Sequence, residues 1–221
     1  MVEKKFEGVF QIGGRIATKS FAPGTKVYGE RTEREGKDEY RFWEPYRSKL
    51  SAAMLKGLKE MPIGHGSLVL YLGAASGTTA SHVSDIVGEK GLVYCVEFAP
   101  RTMRDLINVC EVRKNMLPIL GDARNPEEYA KYIKGKVDVI YEDVADPAQA
   151  AILVANARAF LKKGGHAMIA IKSQSIDVAV QPKKTYEKVI AELEGSFDIL
   201  ERMDLNPFDK DHLFLLAKFK G

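Results

Sequence analysis

The run Leu68-Val69-Leu70-Tyr71-Leu72-Gly73-Ala74-Ala75-Ser76-Gly77-Thr78-Thr79 decides the fold. An apolar run gives way to a glycine-containing loop, and a helix-period stretch then continues to Val87 and stops at Gly88. A short apolar strand, a tight loop and a helix, in that order, open a βαβ unit. In open α/β sheets such a loop lies at the carboxyl ends of the strands, where ligands bind. Glycine is also the default residue of any tight strand-to-helix turn, so the loop by itself is a weak pointer. Its spacing says more. A dinucleotide fingerprint reads G-x-G-x-x-G, whereas Gly73 and Gly77 stand four apart, which suits a nucleotide-like ligand without a pyrophosphate.

Downstream the alternation continues. Strands are expected at Leu68–Leu72, Leu92–Glu97, Met116–Leu120, Val137–Tyr141, Ala167–Ile171, Phe197–Asp204 and His212–Phe219. Helices are expected at Thr79–Val87, ending at Gly88, Arg101–Val112 after Pro100, Pro126–Ile133 from its opening proline, Pro147–Leu161 before Gly164-Gly165, and Lys183–Leu193 near Gly195. A further helix over Arg47–Lys59 precedes the first strand, because Leu50, Met54, Leu55 and Leu58 recur at helical spacing. Asn206-Pro207-Phe208-Asp209 reads as a turn, so the last two strands form a hairpin and the final one runs antiparallel to its neighbours. The fold class is therefore α/β, with a Rossmann-like sheet of seven strands. Residues 1–45 differ in texture, with Gly13-Gly14, Pro23-Gly24 and aromatic-containing runs at Gly8–Ile12 and Lys26–Tyr28. They are read as a small β-rich extension ahead of a ligand-binding domain over 46–221.

Composition narrows the class. With 45% hydrophobic and 29% charged residues in 221, the chain has the balance of a globular protein able to bury a sizeable core. The opening Met1-Val2-Glu3-Lys4-Lys5 is charged, and the run Leu68–Leu72 is far too short to span a bilayer, so no membrane partner and a cytoplasmic location are expected. Cys95 and Cys110 fall in apolar segments without a Cys-x-x-Cys or neighbouring His, which argues for buried thiols and against a metal site. A net charge of +3 does not by itself mark a nucleic-acid binder. Residues 1–60, however, carry thirteen Lys and Arg against nine Asp and Glu, an excess that fits a polyanion across this end and an ordinary solvated surface about equally.

Two strand ends supply carboxylates. Glu97 closes the second strand, 24 residues after Gly73, where an acidic side chain commonly accepts from ribose hydroxyls. Asp122, in Gly121-Asp122-Ala123 after the third strand, is placed to accept from an adenine amino group. Either alone has capping of the following helix as the lesser alternative; the pair, one βα unit apart, weakens that alternative and points to adenosine. The fourth strand ends in Glu142-Asp143-Val144-Ala145-Asp146-Pro147, which adds acidic groups beside that site.

Several runs in order now carry a resemblance. Gly8-Val9-Phe10, Pro23 to Glu30, Phe42-Trp43-Glu44-Pro45-Tyr46-Arg47-Ser48-Lys49-Leu50, the Gly73–Thr79 loop, Val96-Glu97-Phe98, Gly121-Asp122-Ala123 and Ile171-Lys172 are similar to the fibrillarin family in its archaeal form. The sequence lacks the Gly/Arg-rich tail of eukaryotic members and has Asp146 where the family more often has glutamine. The resemblance implies a class I methyltransferase fold and S-adenosyl-L-methionine as cofactor. It implies transfer of a methyl group to ribose 2′-hydroxyls of rRNA, with tRNA as a further target class. The implied partners are a Nop-domain scaffold protein, a kink-turn-binding subunit of the ribosomal-protein type, and a box C/D guide RNA paired with its target. Cofactor residues on this reading are Gly73, Ala74, Ser76, Gly77, Thr78, Thr79, Glu97, Phe98, Asp122, Ala123, Asp143 and Gln149, with no metal.

A ribose hydroxyl is barely acidic, so its attack on a methyl group profits from a base and from tight alignment. The resemblance assigns Lys49, Asp143, Lys172 and His212 to this task, with Lys172 as the base and Asp143 orienting the lysines and the hydroxyl. Lys172 follows the apolar run Ala167–Ile171, which should bury its stem and set it apart from an ordinary surface lysine. Trp43, Phe42 and Tyr46 precede Lys49 and are candidates for docking a partner, with core packing the expected fate of Trp43. Three rival readings stay open. A nicotinamide reductase is disfavoured because Tyr132 and Lys136, split by Gly135, would not share a helix face. A non-catalytic ribonucleoprotein subunit and a methyltransferase for proteins or small molecules are the others.

Overall fold

The computed structural model describes residues 2–177 and 179–221. The chain opens with β1 (Val2–Phe6), β2 (Val9–Ile12), β3 (Arg15–Lys19), β4 (Thr32–Glu35) and β5 (Asp38–Phe42). These form one antiparallel sheet in the order β1-β2-β3-β5-β4. Lys26–Tyr28 is irregular, held by the Glu30 carboxylate, which accepts from the backbone N–H groups of Val27 and Tyr28.

A 3₁₀ turn, Pro45–Arg47, leads into α1 (Lys49–Leu55). This helix is shorter than the spacing predicts. Ser48, extended at φ −150°, caps its start by accepting from Ser51 N–H, and Gly57 at φ +100° turns the chain away. Leu58 beyond the helix is buried all the same, so the periodicity reported burial correctly and helix length incorrectly.

Then follow β6 (Leu68–Leu72), α2 (Thr78–Val87), β7 (Leu92–Glu97), α3 (Pro100–Val112), β8 (Met116–Leu120), α4 (Pro126–Tyr129), β9 (Val137–Glu142), α5 (Gln149–Phe160), β10 (Leu161–Lys172), α6 (Ser173–Ile176), α7 (Pro182–Glu194), β11 (Phe197–Asp204) and β12 (His212–Phe219). The second sheet has seven strands in the order β11-β12-β10-β9-β6-β7-β8. Strands β6 to β10 run parallel, and β12 is antiparallel to both β10 and β11, so the final hairpin is as the turn at Asn206–Asp209 requires.

Two more helices differ from expectation, and one is new. The helix expected at Pro126–Ile133 breaks after Tyr129, which sits at φ −114°, ψ 5°, and continues as a 3₁₀ turn over Ala130–Tyr132. The helix expected to reach Leu161 stops at Phe160. Leu161 is already extended, pairs with Val137 and starts β10, and the register then shifts across the Lys162–Gly165 segment before His166 pairs with Val139. The short α6 was not foreseen at all.

Apolar side chains fill both faces of the seven-stranded sheet, against α1, α2 and α3 on one side and α5 and α7 on the other. Cys95 and Cys110 are free and buried. The N-terminal sheet is locked onto α2 by a buried ionic cluster. Arg41, fully buried on β5, pairs with Glu30 at 2.6 Å and with Asp85 of α2 at 2.7 Å, and Arg113 reaches Asp85 at 2.6 Å. Thr18 donates to the same carboxylate at 2.6 Å. His82 stacks on Trp43 with ring centroids 4.6 Å apart, and burial, then the charges of Arg41 and Arg113, hold its pKa well below the usual value. No helix among the described residues is long and apolar enough to cross a membrane.

Candidate active site

The sheet reverses its winding between β6 and β9, the place where open α/β folds leave a crevice at the carboxyl ends of the strands. Gly73 makes the closest approach there. It has φ +80°, and a Cβ at this position would stand 2.9 Å from the carbonyl oxygen of Asp143. Only glycine lets the two strand ends sit side by side with Asp143 N–H donating to Leu72 O at 2.9 Å.

A pocket of about 410 Å3 opens over these ends. Of the expected cofactor residues, Gly73, Glu97, Phe98, Asp122, Ala123 and Asp143 line it, together with Ala75, Arg124, Val144, Asp146 and Lys172. Glu97 is buried and braces the loop: one carboxylate oxygen accepts from Ala75 N–H at 2.9 Å and the other from Ala99 N–H at 2.8 Å. Ala75 itself is held at φ 47°, a left-handed conformation unusual for a residue with a Cβ. Phe98 next to it is 73% exposed, an apolar ring left bare at the pocket rim. Asp122 is turned onto Arg124, whose hydrogen bonds, ahead of its charge, hold the carboxyl below the usual carboxylate range. Arg124 was not foreseen; it also lies 3.9 Å from Asp146 across the pocket.

The other expected cofactor residues sit around the pocket and not on its wall. Ala74 is buried beneath the loop, and Gly77 is the left-handed residue that starts α2, backed by Leu106. Thr78 is the first residue of α2, and the hydroxyl of Thr79 donates to Ser48 Oγ at 2.9 Å. Ser76 faces a separate depression beside Arg47 and α3. Gln149 is wholly buried; its amide donates to Val144 O and Ala170 O and its oxygen accepts from Lys172 N–H at 2.9 Å, fixing the backbone where β10 ends.

Beside the pocket the two expected lysines converge on one carboxylate. Lys49 Nζ and Lys172 Nζ lie 3.1 Å and 2.9 Å from Asp143 Oδ1, and Lys172 also donates to the Asp143 carbonyl at 2.8 Å. All three side chains are mostly buried. Three elements supply them: the start of α1, the end of β9 and the end of β10. His212 is the cross-strand partner of Lys172, and its Nδ1 lies 3.0 Å from Asp209, which in turn reaches Lys49 at 3.5 Å. Asp209, which the sequence marks only as a turn residue, closes an ionic chain His212–Asp209–Lys49–Asp143–Lys172. Burial works against the charge of Lys49, but Asp143 and Asp209 outweigh it and raise its pKa. Burial likewise opposes ionisation of Asp209, and the hydrogen bond from His212 with the charge of Lys49 outweighs it and lowers that pKa.

Of the aromatic residues before Lys49, Phe42 and Trp43 are buried, while Tyr46 is 66% exposed and packs edge-on against Phe208 in the turn that carries Asp209. Below the site, Glu142 is fully buried with neither carboxylate oxygen hydrogen-bonded. Burial, then the negative charges of Asp143 and Asp146, push its pKa well up against the opposing effect of Lys172.

Comparison with known proteins gives the family of the chain. The Fibrillarin family model matches residues 1–221. The fibrillarin-like rRNA/tRNA 2′-O-methyltransferase of Pyrococcus furiosus is 53% identical over 220 residues, covering 97% of this chain and 96% of the relative. The crystal structure of Aeropyrum pernix fibrillarin with natively bound S-adenosyl-L-methionine superposes with a TM-score of 0.89 at 51% identity, over 98% of this chain and 97% of that one. A fibrillarin solved in a fibrillarin/Nop5p complex gives a TM-score of 0.88 at 40% identity, over 98% and 100% of the two chains. With a family match from end to end and half of the residues shared with full-length relatives, the chain belongs to the fibrillarin family.

Proposed function

We propose that this chain is an S-adenosylmethionine-dependent methyltransferase acting on ribose 2′-hydroxyls of rRNA and tRNA. The observation that carries the reading is the convergence of Lys49 and Lys172 on Asp143 at the edge of the strand-end pocket. The pocket's donor set fits the cofactor. Glu97 and Asp122 offer carboxylates to ribose hydroxyls and an adenine amino group, Phe98 offers an apolar ring to flank the base, and Asp143 and Asp146 offer negative charge to a cationic methionine moiety. Glycine at position 73 keeps the wall thin. When bound, the cofactor supplies an electrophilic methyl group on a sulfonium.

The protein's own part is to hold the ribose and take a proton. Lys172, at the edge of the pocket and held by Asp143, is the group placed to take the proton of the 2′-hydroxyl. Asp143 orients both amines from between them, and Lys49, kept charged by Asp143 and Asp209, is a fixed cation beside the developing alkoxide. His212 positions this end of the cluster through Asp209 and through its pairing with Lys172.

The net charge of +3 offers few phosphate contacts, so substrate placement comes from partners: a Nop-domain scaffold, a kink-turn-binding subunit and a box C/D guide RNA, in the cytoplasm of an archaeal-type cell. This rests on the family and on its member in the fibrillarin/Nop5p complex. In the reconstituted particle, Lys172→Ala should lower methyl transfer by about 10²–10⁴. Cofactor affinity by calorimetry should change little. A variant that retains most of its activity would remove the base from Lys172.

A further inference from the structure

Between the N-terminal sheet, the Pro45–Arg47 turn and Leu55 at the end of α1 lies a second cavity, of about 440 Å3, which shares no lining residue with the strand-end pocket. Arg15, Arg31 and Arg47 line it, and all three are exposed. Each guanidinium lies over an aromatic ring. Arg15 and Arg31 are 6.0 Å and 4.9 Å from the ring of Phe42, and Arg47 is 5.0 Å from that of Tyr28. Stacking of this kind fixes the guanidinium plane and leaves its N–H edge to reach an acceptor, the geometry by which arginine takes phosphate.

Two further observations point to an acceptor that the protein itself does not provide. Trp43, also in the lining, keeps its indole Nε1–H buried with no hydrogen-bond partner, whereas buried donors are nearly always paired. The neighbouring acids are committed elsewhere or to one arginine only. Glu30 is taken by Arg41, Glu44 accepts from Tyr46 N–H, and Glu33 pairs with Arg31. Among the described residues Arg15 and Arg47 have no carboxylate partner, Arg47 donating only to the Tyr28 carbonyl at 3.4 Å, and the lining carries three arginines against the two glutamates Glu30 and Glu44. The cavity is continuous along the chain with the active cluster, because the segment from Trp43 to Arg47 forms its wall and Lys49 follows two residues later.

We propose that this cavity seats a phosphodiester-linked nucleotide of the RNA, with Arg15, Arg31 and Arg47 on the phosphate and Trp43 Nε1 donating to it, so that the strand is gripped at a second point beside Lys49. The inference rests on RNA being the substrate. Its volume lies in the range of small-ligand sites, ample for one nucleotide. Three cations grip weakly on their own, consistent with a chain that needs partners to place its substrate.

Trp43 is the single tryptophan, so its emission reports on this cavity alone. Titrating the full chain with a short single-stranded RNA at low salt should give a saturable change in that emission, lost as salt rises. The double variant R15A/R31A should weaken RNA binding at least about tenfold and reduce the slope of log K against log salt by about 1.4, two contacts at roughly 0.7 each. Its affinity for S-adenosylmethionine should stay as in the wild type. The proposal is overturned if RNA binds, by anisotropy, with Trp43 unmoved or with the variant undiminished, or if no binding is seen at low salt. It is also overturned if inorganic phosphate saturates the same response at concentrations as low as RNA does, which would make this a free-anion site. A response to the scaffold protein without RNA would assign the cavity to a protein partner instead. Failure of the underlying reading is separate: a wild-type particle that binds cofactor and transfers no methyl to RNA.

Discussion

Gly73→Ala tests whether the close approach of β6 and β9 is what assembles the site. Two costs can be separated. At φ +80° any residue with a Cβ pays the left-handed penalty of about 1–2 kcal/mol. The added Cβ would also stand 2.9 Å from Asp143 O and 3.0 Å from its carbonyl carbon, so the strand ends must part, an overpacking cost of about 1–3 kcal/mol. Gly24 provides the control, with φ +83° and nothing within 4 Å of its would-be Cβ. Urea unfolding should therefore show a loss of about 2–5 kcal/mol for Gly73→Ala and about 1–2 kcal/mol for Gly24→Ala. For a chain of this size each kcal/mol lowers Tm by about 2–4 °C. The carbonyl that must move is the one accepting from Lys172 Nζ, so single-turnover methyl transfer by the Gly73→Ala particle should fall further than its stability explains. Equal losses in the two variants, with unchanged transfer, would refute the argument that this contact sets the site.

Glu97→Ala removes the acceptor of Ala75 and Ala99 N–H and should weaken cofactor binding in calorimetry by about 1.5–3 kcal/mol; an unchanged Kd would take Glu97 out of the cofactor site. Glu142→Gln should stabilise the protein increasingly as pH rises. The folded carboxyl has a raised pKa, so wild-type stability is greatest below the unfolded value of 4.5 and declines as pH climbs toward the folded one, at most about 1.4 kcal/mol per pH unit. Urea midpoints compared from acid to neutral pH check this, and a difference constant with pH would contradict a neutral Glu142. Asp85→Asn leaves Arg41 and Arg113 buried against a neutral amide and should cost about 3–5 kcal/mol in the same assay; a loss below about 1 kcal/mol would mean that the cluster is not holding the sheets together.

The parallel strands of the large sheet were legible as apolar runs, β11 as an alternation of apolar and charged residues, and the hairpin because its turn residues are explicit. What failed was helix length. Ser48 and Gly57 clip α1 and an extended Leu161 ends α5, and these local backbone choices override a periodicity that continues past them. Within the site, Lys49, Asp143, Lys172 and His212 followed from the resemblance, while Glu97 and Asp122 could be proposed from their places at strand ends. Asp209 and Arg124 could not, because their roles depend on which loops meet in space: Asp209 matters only once its turn is folded over Lys49, and Arg124 only because it curls back onto Asp122. Gln149 shows the reverse case, a residue associated with the cofactor by resemblance whose bonds all go to backbone, including that of Lys172.

The buried charges that join the two sheets bear on how the molecule can be taken apart. A fragment beginning at Tyr46 would keep Asp85 and Arg113 but lose Arg41, and it would strip His82 of both Thr18 and the covering ring of Trp43. The wound left on α2 would be ionic and apolar at once, adjoining the helix whose first turn touches the site through Thr79 and Ser48. Exchange of N-terminal sheets between relatives should succeed only when the arginine on the sheet and the aspartate on the helix travel together. The small sheet is thus a matched part of this fold and not an interchangeable accessory.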